Sequence, residues 1–275
     1  MKLPQVILVL LALGVGAILY FTPIAPMAEK PVETEESDTP KVEYSILDDV
    51  TEIKNNLDSA TLALVNNWEA AGTPESIDSL IGFFDIQRKP VGAAYHALKR
   101  AEATSDVEDW TEAGERFLLN AKYMGDNDRK TSWYKQSQMA FEKALELAPE
   151  DLDIKVDLGV CMIEGASFLG TPPMQGIGIL KSVEQQDPNN IKALINLGYF
   201  SIKSGQFDKA QQRFDQVLKI DPKYADAYLY LADLHEREKK FAAAVKDLEN
   251  YKLLVEDPQR IQEVDNYIQE LSKNI

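Results

Sequence analysis

The sequence predicts an all-α chain built as an array of paired helices, and three observations carry that prediction. Self-comparison aligns residues 195–222 with residues 229–251 at one fixed offset. Leu197 meets Leu231, Gly198 meets Ala232, Phe207 meets Phe241, Ala210 meets Ala244 and Phe214 meets Leu248, with the same separation in every pair. Within each stretch apolar residues recur at i, i+3, i+4 and i+7, the spacing of one helical face. Asp221-Pro222 then closes the first unit, because proline cannot continue a helix interior.

The first of these units, residues 191–224, resembles the tetratricopeptide repeat. Leu194, Leu197-Gly198, Ala210, Phe214, Val217 and Pro222 match that signature, with Ser201 where an aromatic residue is usual. Small residues (Gly198, Ala210, Val217) fall where two helix backbones must approach, and Leu197, Phe207 and Phe214 fill the space between them. A second unit, 225–258, carries Tyr228, Leu231-Ala232, Ala244 and Leu248, with its Asp257-Pro258 two residues late.

Upstream the pattern loosens. Leu158-Gly159 and Asp187-Pro188 bracket a unit at 152–190, interrupted by the insertion GASFLGTPPMQG at 165–176. Trp110, Ala113-Gly114, Phe117, Phe141, Ala144-Leu145 and Pro149 outline another at 107–151, whose inter-helix turn is expected to lengthen around 125–132. Ile81-Gly82, Ala94, Leu98 and Ala101 mark a degenerate unit at 75–106. The resemblance implies a right-handed superhelical solenoid of helix-turn-helix units over 75–258.

Both ends of such an array need covering. Residues 259–275 predict a C-terminal capping helix, with Ile261, Val264, Ile268 and Leu271 on one face. Residues 43–74 form the N-terminal helical segment, where 44–72 reads as one long helix, either a cap or a dimerising helix.

Residues 1–28 read as a transmembrane signal anchor. The apolar run at 6–21 is slightly short for the roughly 20 residues of a bilayer span and slightly long for a cleavable signal core. Pro26 stands where a small residue is needed before a cut at Ala28, which favours an uncleaved anchor over a cleaved secreted form. Lys2 precedes the run, while Glu29, Glu33, Glu35, Glu36 and Asp38 follow it. The positive-inside rule therefore places the N-terminus in the cytoplasm and the repeat body outside it, in the periplasm if the cell is bacterial. Residues 29–42 form an acidic flexible linker.

Composition narrows the chemistry. A net charge of −16 opposes nucleic-acid binding, which depends on Lys and Arg neutralising phosphates. It equally disfavours an anionic lipid surface. With 45% hydrophobic residues the chain can bury a core without disulfides, and its single Cys161 forms none internally. His96 and His235 are too few for a conventional zinc site, and Cys161 and His235 fall at packing positions of the units. Residues 126–137 open like a calcium loop at Asp126 and Asp128 but end on Ser137 in place of the required glutamate. The expectation is a protein that is not an enzyme, with no catalytic residue, no metal ligand and no cofactor.

The resemblance implies where a partner sits, because the first helix of each such repeat lines a concave groove. Carried over, those positions are Val156, Val160 and Ile163, then Lys192, Ile195, Tyr199, Ile202 and Lys203, then Leu229, Asp233, Glu236 and Arg237. Lys192 and Asn196 occupy two positions of the clamp that grips chaperone C-termini, but the apolar residues around them oppose such a clamp. Phe168, Leu169 and Met174 of the insertion are candidate contact residues, or else pack on their own unit. The reading is a membrane-anchored scaffold or assembly factor binding an extended peptide or helix of another protein. The alternative is a self-associating, homo-oligomeric structural protein with no peptide client.

Overall fold

The computed structural model describes residues 44–275; the expected anchor at 1–28 and linker at 29–42 lie outside the described residues. Fourteen helices and no strand are found among the described residues, as the helical periodicity requires. After α1 (Ile46–Asn55) and α2 (Ser59–Ala71) come α3 (Pro74–Ile86) and α4 (Pro90–Thr104), then α5 (Val107–Tyr123) and α6 (Asn127–Leu147). The next unit is α7 (Leu152–Glu164), the single-turn α8 (Ala166–Leu169) and α9 (Pro173–Gln186). Two regular pairs follow, α10 (Ile191–Lys203) with α11 (Phe207–Ile220) and α12 (Ala225–Arg237) with α13 (Phe241–Lys252). The last helix is α14 (Pro258–Ser272). None of these is long and apolar enough to cross a membrane.

Each long helix of the array packs on its neighbours in sequence, and the first helices of successive pairs also touch: α5 on α7, α7 on α10, α10 on α12. First helices therefore form one continuous layer. The apolar core runs as four overlapping clusters, from Ile46 to Cys161, Val156 to Phe200, Leu194 to Leu234, and Ala232 to Leu271. Neighbouring units supply each other's missing half-core, the property that lets a repeat stack but not stand alone.

Inside a pair the close approach is made by glycine. A Cβ on Gly198 would lie 2.7 Å from Phe214 Cζ, and one on Gly114 would lie 2.7 Å from Phe141 Cε1. In each case a first-helix glycine receives a fully buried second-helix phenylalanine. In the unit 152–190 that role falls to Leu180, whose Cγ is 3.2 Å from a Cβ on Gly159.

Asp221 and Asp187 end their helices in extended backbone ahead of Pro222 and Pro188. Asp106, Asp126, Asp151, Asn190 and Asp257 then start the following helices, each side chain accepting a backbone N–H of the first turn.

Two sequence expectations are corrected here. Residues 44–72 are two helices, because Asn56 Nδ2 donates to Glu52 O (2.8 Å) at the end of α1 and Asp58 caps α2 through Ala60 N and Thr61 N (3.0 Å each). The break lets Leu57 turn into the core. Arg129 of α6 holds α1 in place, donating to Asp49 from Nε (3.0 Å) and Nη2 (2.9 Å), and α1 also packs on α4.

The turn at 125–132 is not lengthened. Asp126 accepts from Arg129 N (3.0 Å), so the extra residues become additional turns of α6 and the connection shrinks to Met124–Asp126. At the other end Val264 and Leu271 of α14 are buried against Ala232 and Leu248, with Ile268 beside them.

Candidate binding groove

The layer of first helices carries a pocket of about 440 Å³ lined by residues of four successive units. One wall is aromatic. Tyr199 (α10) and Tyr230 (α12) lie with ring centroids 5.7 Å apart, and Tyr230 stacks on the buried Phe214 at 5.4 Å. The opposite wall is Phe168 stacked on Tyr134 at 5.4 Å, with Tyr123 exposed at the rim. Cations sit over these faces: Lys203 Nζ is 4.5 Å from the Tyr199 centroid and Lys130 Nζ is 6.0 Å from that of Phe168. Glu164 closes the floor, 3.4 Å from Lys203 Nζ. Partial burial pushes the phenols of Tyr134 and Tyr230 up to about 12, so both are neutral hydrogen-bonding groups at physiological pH.

The residues expected to line the groove divide into three groups. Val156 (0% exposed), Val160 (8%), Ile195 (7%) and Ile202 (3%) are core residues and present no surface to a partner. The contacts of α7 with α10 and of α10 with α12 cover them, which the family pattern does not reveal residue by residue. Leu229, Asp233, Glu236 and Arg237 lie away from the pocket. Leu229 packs into the last core cluster, Arg237 Nε donates to Asp233 (2.8 Å), and Glu236 accepts from Tyr267 of the capping helix.

Tyr199 is brought to the pocket, with Lys203 over its ring. Ile163 and Lys203 line a second pocket beside it. Lys192 is paired with the buried Asp157 and so is not a free clamp residue.

Of the three candidate contact residues of the insertion, Phe168 and Leu169 are half-buried against the core cluster and Met174 is well exposed, at 64%. The family pattern does not single out Tyr123, Tyr134 or Tyr230 as partner-binding residues. One signal for Tyr230 does exist: it stands one repeat period after Asn196, itself a groove position of the preceding unit.

Several buried polar groups serve the structure. Burial raises the Cys161 thiol to about 11, and its Sγ lies 3.6 Å from Tyr134 O, so it stays an unreactive thiol at neutral pH. His235 is not a pure packing residue, because its Nδ1 lies 2.6 Å from Asp247 and ties α12 to α13. Burial holds the Asp247 carboxyl above its usual range. Ser201, in place of the usual aromatic, donates to Leu197 O (2.7 Å) and accepts from Arg213 Nη1 (3.0 Å). Among the described residues no group of three His, Cys, Asp or Glu side chains is placed to hold a metal ion.

A solenoid of paired helices with a groove on its first-helix layer is the architecture of a repeat protein. The sequence profile of the tetratricopeptide repeat matches residues 175–221 and 201–262, so this C-terminal stretch carries tetratricopeptide repeats. No curated protein sequence matches it. Among solved structures it is similar to PilW, titled a widely conserved type IV pilus biogenesis factor, at 16% identity and a TM-score of 0.50, covering 73% of this chain and 90% of that one. It is also similar to YrrB, titled a TPR protein with an unusual peptide-binding site (18% identity, TM-score 0.42, 76% and 98% covered). MamA from Desulfovibrio magneticus RS-1 follows at 15% identity and a TM-score of 0.45, with 66% and 94% covered. At these identities the first of the three likenesses concerns the fold alone, and the other two support no further conclusion.

Proposed function

We propose that this protein is a membrane-anchored scaffold that binds an extended peptide or helix of another protein in the tyrosine-lined groove, and that it is not an enzyme. The observation that carries the reading is that Tyr199 and Tyr230 line one pocket with Phe168 and Tyr123, a pocket built from four units. Tyrosine supplies a large apolar face and a hydrogen-bonding tip at low entropic cost, which is why it dominates binding hot spots. Nothing in the fold needs Tyr123 exposed at 74%. The partner chemistry that fits is a segment with apolar or aromatic anchors. The apolar run at 6–21 and the charges flanking it support tethering with the repeat body outside the cytoplasm.

Two experiments on the full chain test this. A photo-crosslinking residue in place of Tyr123 is expected to give one discrete adduct in cells, lost when Tyr199→Ala is added. The same crosslinker at the exposed Leu253, remote from the groove, is the control. Identical adducts from both positions would sink the groove assignment. For the tether, alkaline phosphatase fused to the C-terminus is expected to be active, and an inactive fusion in a stably expressed protein would reverse the orientation.

A further inference from the structure

The insertion in the unit 152–190 has no part in the groove beyond Phe168. In the four other units the two helices are joined by three residues: Gln87–Lys89, Met124–Asp126, Ser204–Gln206 and Glu238–Lys240. Between α7 and α9 the connection runs from Gly165 to Pro172, so five extra residues enter there. Gly170, with φ of 66°, reverses the chain, and Pro172 then sets up the start of α9.

As a result α9 begins with Met174 standing out above the α10–α11 turn, and a pocket of about 680 Å³ opens beneath it. Its floor is apolar, made by Ile163, Ile177 and Phe200. Its rim is mainly basic, made by Lys181, Lys203, Lys209 and Arg213, with Glu164 as the one carboxylate, shared with the tyrosine-lined groove. Arg213 is committed to Glu184 at 2.8 Å and Lys203 to Glu164 at 3.4 Å. Lys181 and Lys209 are exposed, and neither has a carboxylate within ion-pair distance among the described residues. In a chain of net charge −16 this rim is a local inversion of sign.

We propose that this edge pocket is a second docking site, separate from the tyrosine-lined groove, and that it takes an acidic peptide segment carrying one large apolar side chain. The apolar side chain lies under Met174 on Ile177 and Phe200. Carboxylates flanking it reach Lys181 and Lys209, neither of which has a carboxylate partner among the described residues. The acidic surface elsewhere repels such a segment, so electrostatics steers it to this one edge. A volume of this size suits a peptide side chain with its backbone.

The test uses the full chain in detergent and a fluorescein-labelled hexapeptide, Asp-Glu-Leu-Phe-Asp-Glu, followed by anisotropy. Saturable binding that weakens with salt is expected. Lys181→Glu with Lys209→Glu should weaken it at least tenfold while leaving the thermal transition unchanged, since both side chains are solvent-exposed. Met174→Ser should weaken it about threefold, and Tyr199→Ala should leave it unaltered, which separates this site from the groove. Unchanged affinity in the double lysine variant overturns the proposal. So does equal binding of the neutral peptide Ser-Gln-Leu-Phe-Ser-Gln. Lysine-dependent binding to phosphatidylglycerol vesicles with none to the acidic peptide would likewise overturn it, in favour of a lipid headgroup.

Discussion

The unit 152–190 and the unit 191–224 begin alike and diverge at one connection. Both open with a helix of the same length carrying a leucine-glycine pair, Leu158-Gly159 in α7 and Leu197-Gly198 in α10. Gly159 and Gly198 stand five positions further apart in the chain than do Leu180 and Phe214, the buried side chains that face them. That difference is the insertion, and the second helix regains its register beyond it. The repeat therefore tolerates a longer connection as long as the packed pair of faces is kept. What the insertion changes is the surface, where Met174 and the basic rim replace a tight turn.

That comparison can be broken most directly at its packed centre. Phe214→Ala removes a fully buried ring and is expected to cost about 3–5 kcal/mol, and Leu180→Ala about 2–5 kcal/mol, read as shifts in denaturant midpoint. If Leu180→Ala cost nothing, the two positions would not be equivalent.

The next effect is one of pH. Asp157 of α7 corresponds to Asn196 of α10, since each stands two positions before the glycine of its helix. Burial lifts the Asp157 carboxyl to about 6 despite the pairing with Lys192. The folded state then holds this proton more tightly than the unfolded state does. Its contribution to stability is present below about pH 4 and is lost as pH rises through about 6. Asp157→Asn, which makes the two units alike, should gain on the parent by about 1–3 kcal/mol between pH 4 and pH 7, because each pH unit separating the folded from the unfolded pKa is worth roughly 1.4 kcal/mol. A constant difference across that range would refute the buried-carboxylate account.

Smaller again is the glycine contrast. Gly198→Ala drives a methyl into the Phe214 ring and should cost about 1–3 kcal/mol. Gly159→Ala meets Leu180 Cγ at 3.2 Å and Gly176 O at 3.1 Å, so it should cost less than Gly198→Ala by thermal melting. The smallest effect lies in the turns of the two regular units. Gly205 has φ of 73°, and at the matching position of the next unit Lys239 adopts φ of 61° with a side chain. Lys239→Gly relieves a left-handed strain of about 1–2 kcal/mol but adds freedom to the unfolded chain, leaving a gain of about 0.5 kcal/mol. A melting temperature raised by about 1–2 °C is expected.

Much of this architecture is legible residue by residue. The five matched pairs between 195–222 and 229–251, the helix-starting Asp and Asn residues and the closing prolines are local signals, each acting within a turn or two. The candidate site is less legible. Ile195 and Tyr199 are neighbours on one helical face, one turn apart, yet Ile195 is 7% exposed and Tyr199 lines a pocket. Only the packing of α7 and α12 on either side of α10 separates them. The break at Asn56–Asp58 is also hidden, because the apolar period of 44–72 continues across it while the two caps interrupt the backbone.

The sequence by itself determined an all-α repeat, its helix pairs and the register that relates them, because periodicity, caps and prolines act over short stretches of chain. Tertiary structure alone decided which groove positions stay open, that the 165–176 insertion exposes Met174 while half-burying Phe168 and Leu169, and that Tyr230 joins Tyr199. Those outcomes depend on how units far apart in the chain press on one another, and no local pattern encodes that pressure.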